Sequence, residues 1–170
     1  SYVDTSYILP HKFYQNIQEN KYRKEETVVF DHGRELATSE IKNERKQHKI
    51  PSQVQDVVSG YYYLRTVNFD KVKEGEVVEV PTFFDGEVFK MKVRYRGRET
   101  VKTRFGKIRV FKLNPVMPPN KLFKGENSIR IWVSDDTNKI PVKVEVDLWV
   151  GSMDIDLHDY RGLKSEPVFF

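Results

Sequence analysis

Apolar and charged residues alternate along most of this chain, and this period of two constrains its fold more than any other feature. In KMKVRYRG, residues 90–97, Met91, Val93 and Tyr95 share one side, and lysine or arginine occupies the positions between them. Successive side chains of a β-strand point to opposite faces, so the pattern predicts a strand with one buried face. The same alternation in KIRVFK, SIRIWV and VKVEVDLWV indicates a chain built mainly of strands.

Turn-forming residues separate the alternating segments at short intervals. Asp85-Gly86 lies between two such segments, and glycine accepts the positive φ that a tight hairpin turn requires. Residues 42–49 are predicted to be a polar connector, and residues 114–121 a proline-rich loop. Together these signals predict a meander of about eight or nine antiparallel strands. Further turns are predicted at Asp31 to Gly33, Gly97, Gly106, residues 135–139 and Gly151.

One segment, PSQVQDVVSGYYYLR, departs from the period of two. Its apolar residues follow the i, i+3, i+4, i+7 spacing of a helix face at Val54, Val57, Val58 and Tyr61. Ser52 and Gln55 have the spacing of a capping box, so the helix is predicted to begin there. The predicted fold class is mainly β: a strongly twisted antiparallel meander, half-open and barrel-like, with one helix packed on its concave face. The bulky residues 61–64 are expected to fill that concavity.

Length and composition limit the classes of function. A chain of 170 residues can bury a core of its own, and we predict a single domain over residues 1–170. The absence of cysteine excludes disulfides, thiolate catalysis and cysteine-ligated zinc. No apolar run approaches the roughly 18 residues of a membrane-spanning helix. Because the chain already alternates like a strand from Ser1, we expect a signal peptide and some strands to precede it in the native protein.

Charge is distributed unevenly along the chain. Residues 87–112 contain ten basic and two acidic residues, a local charge of +8, whereas residues 126–166 contain five basic and nine acidic residues, a local charge of −4. A basic sheet face could contact phosphates, but no aromatic RNA-binding motif or glycine-rich phosphate loop accompanies it. We therefore expect a solvated outer face and no nucleic acid partner. A membrane surface is a candidate partner for the basic face, residues 90–112.

Candidate catalytic residues are sparse. The four histidines, His11, His32, His48 and His158, lack the spacing of a metal-binding motif, and no serine lies in a G-x-S-x-G elbow. We predict surface histidines, no catalytic residue and no cofactor. A hydrolase that uses scattered carboxylates is an alternative function, and it would require two or three carboxylates clustered in a cleft.

The acidic stretch SDDTNK has two interpretations. Asp135 and Asp136 with Asn138 could supply oxygen ligands to calcium. A calcium loop normally contributes more ligands at alternate positions. Aspartate and asparagine also accept backbone hydrogen bonds in turns, and this is the interpretation that we favour. We therefore predict a hairpin turn at this position and no metal site.

Two tryptophans lie among charged residues in the last predicted strands. Trp132 projects on the side of Arg130, and Trp149 on the side of Glu145, opposite the aliphatic rows. A hairpin that closes near Thr137 would keep the two rings apart. A second, smaller hydrophobic layer would explain both aromatic residues. The alternative is the wall of a ligand site, since pockets are mostly apolar and aromatic.

Three segments carry a resemblance to a known family. WVSDDTNKIPVKVEVDLWVGSM, with VQDVVSGYYYLR upstream and SYVDTSYILPHKFY at the start, resembles the bacterial exported family Domain of Unknown Function 3108. The resemblance implies a Gram-negative envelope protein made with a signal peptide and additional amino-terminal strands. It implies no established activity. The sheet-and-helix architecture is also similar to that of periplasmic lipoprotein carriers, whose half-open barrels hold acyl chains.

These observations favour a non-catalytic protein of the periplasm or outer envelope, expected to be a monomer. We predict that it binds an apolar ligand, a lipid or acyl chain, between helix and curved sheet. The predicted ligand-binding residues are Val57, Tyr61, Tyr62, Trp132 and Trp149. The alternative is a structural or interaction β-module, which would give a sheet edge or a basic face to an envelope protein partner and would bind no small molecule.

Overall fold

Antiparallel pairing joins the strands into two sheets in the computed structural model, which describes residues 1–116 and 125–170. This part of the chain contains eleven strands, one α-helix and one short 3-10 helix. The elements are β1 (Tyr2–Asp4), β2 (Leu9–Glu19), β3 (Tyr22–Asp31), β4 (Leu36–Ile41), β5 (Glu44–Lys49), α1 (Val57–Leu64), the 3-10 helix (Phe69–Lys71), β6 (Val77–Phe84), β7 (Glu87–Thr103), β8 (Gly106–Pro115), β9 (Ile129–Ser134), β10 (Pro141–Asp147) and β11 (Ser152–Asp156).

The topology is a meander in both sheets. The first sheet has the order β1-β2-β3-β4-β5, and the second has the order β11-β10-β9-β8-β7-β6. Both sheets are open. The chain forms two compact units, one of Ser1–Thr66 with Val80–Met91 and the other of Val67–Glu79 with Lys92–Phe170. Strands β1 to β5 and the helix belong to the first unit, and β8 to β11 belong to the second.

The core of the first unit is an apolar cluster on one face of the five-stranded sheet. Cross-strand pairs such as Phe13 with Val28 and Phe30 with Ala37 place these side chains on the same face. Val57 of the helix packs against the cluster, so helix and sheet share one core. Its members, each at most 7% exposed, are Phe13, Val28, Phe30, Ala37, Ile50, Val54 and Phe83.

The helix begins one turn later than the sequence predicted. Asp56 is its N-cap, and Asp56 Oδ1 accepts hydrogen bonds from the backbone N–H groups of Val58 and Ser59, each at 2.8 Å. The Ser59 hydroxyl accepts from the Asp56 N–H at 2.9 Å, which completes a capping box. The box predicted for Ser52 and Gln55 is wrong, because Gln55 pairs through its backbone with β6 instead.

The second unit buries apolar side chains on both faces of its sheet. On one face, Ile108, Val110, Trp132, Ile140 and Val142 form a cluster, and the carboxyl-terminal segment covers it with Leu157, Tyr160, Leu163 and Phe169. On the other face, the rings of Phe69, Tyr95 and Phe111 lie within 5.1 to 6.1 Å of one another, centroid to centroid. A sheet with apolar residues on both faces explains why apolar and aromatic residues interrupt its alternation.

The mainly β prediction with one helix is confirmed, but the details of several segments differ. Residues 44–49 form the edge strand β5 rather than a connector, because a solvated edge strand needs few apolar residues. The Asp85-Gly86 hairpin turn is confirmed, with φ values of 54° and 80°. Gly97 does not lie in a turn but at a bulge inside β7. Of the predicted proline-rich loop, residues 117–121 lie outside the described residues.

Candidate functional site

Three large side chains of the helix point outward. Val58 is 42% exposed, Tyr61 39% and Tyr62 53%, whereas Ser59, Gly60 and Leu64 are buried. Positions 58, 61 and 62 are related by i+3 and i+4 and therefore lie on one side of the helix. A helix of a globular protein normally buries most of its large apolar residues, and this helix buries Leu64 but leaves these three exposed. We define Val58, Tyr61 and Tyr62 as the helix surface.

Small residues on the inner side of the helix allow this arrangement. A Cβ atom at Gly60 would lie only 2.9 Å from Met91 Cε, so the absence of a side chain at position 60 leaves room for the end of Met91 against the helix. Ser59 is fully buried and uses its hydroxyl in the helix cap. The tyrosines are thereby left on the outer side. Surrounding protein raises the pKa of the Tyr61 phenol through desolvation, and the Arg65 guanidinium lies 5.8 Å from the centre of the Tyr62 ring.

Trp132 is buried in the second unit and is held by polar partners. It is 5% exposed, and its indole N–H donates a hydrogen bond to Glu99 Oε1. The ammonium groups of Lys112 and Lys143 lie 5.1 and 5.5 Å from the ring centre. Two cations at an electron-rich ring are favourable cation–π contacts. Both the indole N–H and the ring of Trp132 therefore have partners in the protein, and Trp132 belongs to the second hydrophobic layer.

A network of charged side chains extends from Trp132 across β9 and β10. Lys143 Nζ lies 2.5 Å from Glu145 Oε1, and Arg130 contacts both Glu145 at 2.9 Å and Asp147 at 2.6 Å. The hydrogen bonds of Lys143 and then of Arg130 hold the pKa of Glu145 below its usual value. Hydrogen bonds to Asp147, and then to Glu145, raise the pKa of Arg130. The network pairs each of these four charged side chains with at least one of opposite charge.

Trp149, in contrast to Trp132, is exposed to solvent. Strand β10 ends at Asp147, so Trp149 and Val150 lie in the turn to β11 and are 62% and 90% exposed. The predicted continuation of the strand to Val150 is wrong. Gly151 ends the turn with a φ of +83°, and the Leu148 N–H donates to the Gly151 carbonyl at 3.1 Å. Trp149 is thus an aromatic residue on the surface of the second unit.

The acidic stretch after β9 forms the predicted turn. Asp136 Oδ1 accepts hydrogen bonds from the Ser134 hydroxyl at 2.8 Å and from the backbone N–H groups of Asn138 at 2.8 Å and Lys139 at 3.0 Å. Asn138 in turn holds the carboxyl-terminal segment, since its Oδ1 accepts from the Lys164 N–H at 2.9 Å. Most oxygen donors of the imagined calcium site are thus engaged by the protein itself.

A cavity of about 610 Å³ lies beside this turn in the second unit. Asp135 Oδ2 accepts a hydrogen bond from Arg98 Nε at 2.9 Å and lies 3.5 Å from an Arg109 nitrogen. Arg98 also pairs with Asp70. Although desolvation opposes it, hydrogen bonding to Asp135 and Asp70 raises the pKa of Arg98. The cavity thus gathers three aspartates with two arginines, with ion pairs already formed between them. Its lining residues are Asp70, Arg98, Ile108, Arg109, Asp135, Asp136, Val168 and Phe170.

The basic residues of 90–112 do not form one continuous face. The bulge in β7 changes the register, so that Arg94 is opposite Asn114 but Arg98 is opposite Phe111. Positions 111 and 114 lie on opposite faces of β8, and the bulge therefore transfers the basic side chains from one face to the other. The prediction of a single basic stripe is wrong for this reason. Lys102 and Lys107 form a directly opposed like-charged pair near the hairpin end.

Two of the four histidines, His32 and His48, are engaged in local contacts. The two ring nitrogens of His32 lie 3.0 and 2.8 Å from the carbonyl oxygens of Ser52 and Pro10. His48 Nε2 lies 2.9 Å from the buried Ser39 hydroxyl. Within residues 1–116 and 125–170, no group of three histidine, aspartate or glutamate side chains could hold a metal ion.

A family model described as protein of unknown function (DUF3108) matches residues 1–158 of the chain. The chain belongs to the DUF3108 family. The predicted resemblance is therefore confirmed over most of the sequence. No curated protein and no solved structure matches it significantly.

The five ligand-binding residues predicted for this DUF3108 protein fall into separate groups. Val57, Tyr61 and Tyr62 lie on the helix of the first unit, whereas Trp132 and Trp149 belong to the second. Val57 faces the core and the two tyrosines face outward, so the helix does not present them together. In the second unit, Trp132 is covered and Trp149 is exposed.

One polar cluster of the DUF3108 protein, formed around Glu26 and Lys24, was not predicted from the sequence. Glu26 is 2% exposed and accepts hydrogen bonds from the Gln15 amide at 2.5 Å and from Lys24 at 3.0 Å. Lys24 also contacts Asp85 at 2.6 Å, and these hydrogen bonds raise the pKa of Lys24 although burial opposes them. The sequence contained a sign of this cluster, because Glu26 lies two residues before Val28 and Phe30 follows at the same spacing, so a charged residue stands in an apolar row.

No helix in the described parts of the chain is long and apolar enough to cross a membrane.

Proposed function

We propose that this family member is an exported protein of the cell envelope that binds an apolar molecule, such as a lipid or an acyl chain, without transforming it. The observation that carries the proposal is the helix surface, where Val58, Tyr61 and Tyr62 are 39 to 53% exposed on one side of a helix whose other side buries Ser59, Gly60 and Leu64. Exposed apolar groups that cluster on an ordered element commonly mark binding sites.

The chemistry of the helix surface suits a ligand with a long apolar part and a polar end. The tyrosine rings offer flat apolar area, and the hydroxyl group of Tyr62, the more exposed of the two, can hydrogen-bond to a head group. The Arg65 guanidinium lies beside Tyr62 at the end of the same helix and could attract an anionic group. Val57 packs against the core of the first unit, Trp132 is buried in the second and Trp149 is exposed there, so none of the three is part of the proposed helix surface.

The proposal of a binding role rather than catalysis rests on how the polar groups are used. Asp135 already pairs with Arg98 and Arg109, and His48 pairs with a buried serine. We expect a monomer made with a signal peptide. The cations of 90–112 lie on both faces of the sheet, and the exposed cations on one face, Lys102 and Lys107 among them, suit contact with an anionic membrane surface. A periplasmic fraction that lacks the tagged full-length protein would contradict the proposed location.

Binding can be tested with a fluorescent fatty acid. We expect saturable binding by the wild type and a loss of about tenfold in affinity when both Tyr61 and Tyr62 are replaced by alanine, since two apolar contacts are removed. Tyr22→Ala is the matched control, because Tyr22 is 55% exposed in the same unit but lies outside the helix. Equal losses in the control and the double variant, or no binding by the wild type, would overturn the proposal.

A further inference from the structure

Strand β11 is one edge of the six-stranded sheet, and among residues 1–116 and 125–170 its only strand neighbour is β10. Its ladder with β10 pairs Asp156 with Lys143 and Ser152 with Asp147. One hydrogen bond lies at each end of this ladder. The Leu157 N–H donates to the Val142 carbonyl, and the Leu148 N–H donates to the Gly151 carbonyl. These two bonds determine which residues of β11 bond to β10. In an antiparallel ladder the bonded pairs alternate. Met153 and Ile155 therefore bond to β10, and the backbone groups of Ser152, Asp154 and Asp156 point away from the sheet.

The side chains of β11 separate apolar from acidic groups. Met153 and Ile155 are 49% and 51% exposed, and they continue the apolar row of Val146 and Val144. Asp154 and Asp156 lie on the other face, on the side of the charged network. All five residues of β11 are exposed. The strand thus offers hydrogen-bonding groups along its edge, an apolar row on one face and carboxylates on the other.

We propose that β11 accepts an additional strand from a partner protein, in which lysine or arginine alternates with apolar residues. Cross-strand neighbours share a face, so the basic residues of such a strand would face Asp154 and Asp156, and its apolar residues would face Met153 and Ile155. Main-chain hydrogen bonds to a sheet edge supply affinity, and alternate side chains supply selectivity. This surface belongs entirely to the second unit and is independent of the helix surface.

A strand with this chemistry exists in the chain itself, but it is already used. The segment KMKVRYR of β7 alternates in the required way, yet Val93 and Tyr95 are 1% and 3% exposed and β7 has a neighbour on each side. A folded second copy cannot supply this segment, and in our proposal the occupant is a strand of another protein with the same composition. The segment nevertheless provides a probe whose composition matches the proposal.

The experiment measures binding of a labelled synthetic peptide, KMKVRYR, to the full chain by fluorescence anisotropy. We expect saturable binding that weakens as salt rises, and none of the control peptide EMEVEYE. Asp154→Pro removes an outward N–H without touching the bonds to β10, and we expect it to weaken binding by about tenfold at an unchanged melting temperature. Asp159→Pro, an exposed position beyond the strand, should bind like the wild type.

Charge reversal gives a second test that does not depend on tolerance of proline. The double variant with Asp154→Lys and Asp156→Lys should lose the basic peptide and gain the acidic one. Binding of KMKVRYR that survives both Asp154→Pro and charge reversal would overturn the proposal. Equal binding of the two peptides to the wild type, or sedimentation showing that β11 instead mediates association of identical copies, would overturn it as well.

Discussion

A Cβ atom on Gly60 would lie 2.9 Å from Met91 Cε, so the helix approaches β7 closely because position 60 has no side chain. Alanine gains about 1 kcal/mol of helix propensity there, and the mobile end of Met91 can move aside. We expect Gly60→Ala to change the free energy of unfolding by less than about 1 kcal/mol, and Gly60→Leu to lower it by about 1–3 kcal/mol through overpacking. Urea denaturation measures both. Adding Met91→Ala should restore part of the loss from Gly60→Leu, and strict additivity would contradict this account.

The buried carboxylate of Glu26 should contribute to stability through its two donors. Glu26→Gln keeps the shape of the side chain but weakens the contacts with Lys24 and Gln15, and we expect a loss of about 1–3 kcal/mol in the free energy of unfolding. Glu19→Gln, at an exposed position at the end of β2, is the control and should change stability by less than about 0.5 kcal/mol. Equal effects of the two substitutions in denaturant titrations would show that burial of Glu26 has no energetic consequence.

Glu145 should make the protein sensitive to acid. Its pKa is lowered in the folded state, mainly by Lys143 and then by Arg130, so its stabilising contribution is complete above its usual pKa of 4.5 and is lost as pH falls through the lower folded value. We expect Glu145→Gln to reduce the melting temperature at pH 7 and to reduce it less at pH 3. A difference between variant and wild type that stays constant over this range would be incompatible with the assigned ion pairs.

The two tryptophans should differ in energetic importance. Trp132→Ala would leave a cavity in the second hydrophobic layer and is expected to cost about 3–5 kcal/mol. Trp132→Phe retains an aromatic ring but loses the hydrogen bond to Glu99, so it should fall between alanine and the wild type. Trp149→Ala removes an exposed ring and is expected to change stability by less than about 0.5 kcal/mol. Thermal unfolding of the three variants tests this order.

The turn after β9 should depend on one aspartate oxygen. Asp136→Ala removes the acceptor of three hydrogen bonds and is expected to destabilise the protein by about 1–3 kcal/mol. Asp136→Asn keeps an oxygen at the same position, so it should retain most of the stability. If asparagine proved as damaging as alanine in thermal unfolding, the charge of Asp136 and not its geometry would be the important property.

Period-two alternation was sufficient to predict a mainly β fold, because the burial of one face dominates the choice of residues in most strands. It failed at β5, where every residue is polar, and at Gly97, where a bulge turns the basic residues to the other face. The helix start was misplaced because Ser52 and Asp56 both precede apolar residues, and only tertiary pairing of Gln55 decides between them.

The candidate site was less predictable than the fold. Aromatic residues on the helix were found from the sequence, but their outward direction depends on Gly60 and Met91, which are far apart in the chain. The burial of Trp132 depends on Glu99 and on two lysines from other strands. Such partners cannot be inferred from local spacing, because a bulge of one residue changes which side chains meet.

The two indole rings differ in solvent exposure, so tryptophan fluorescence can report on the second unit without an added label. Trp132 is 5% exposed between two ammonium groups, whereas Trp149 is 62% exposed, and these are the only tryptophans of the chain. We therefore expect intrinsic emission with a blue component shielded from acrylamide and a red component open to it. A molecule that covers the turn after β10 would shift only the red component, and opening of the sheet would move the blue one.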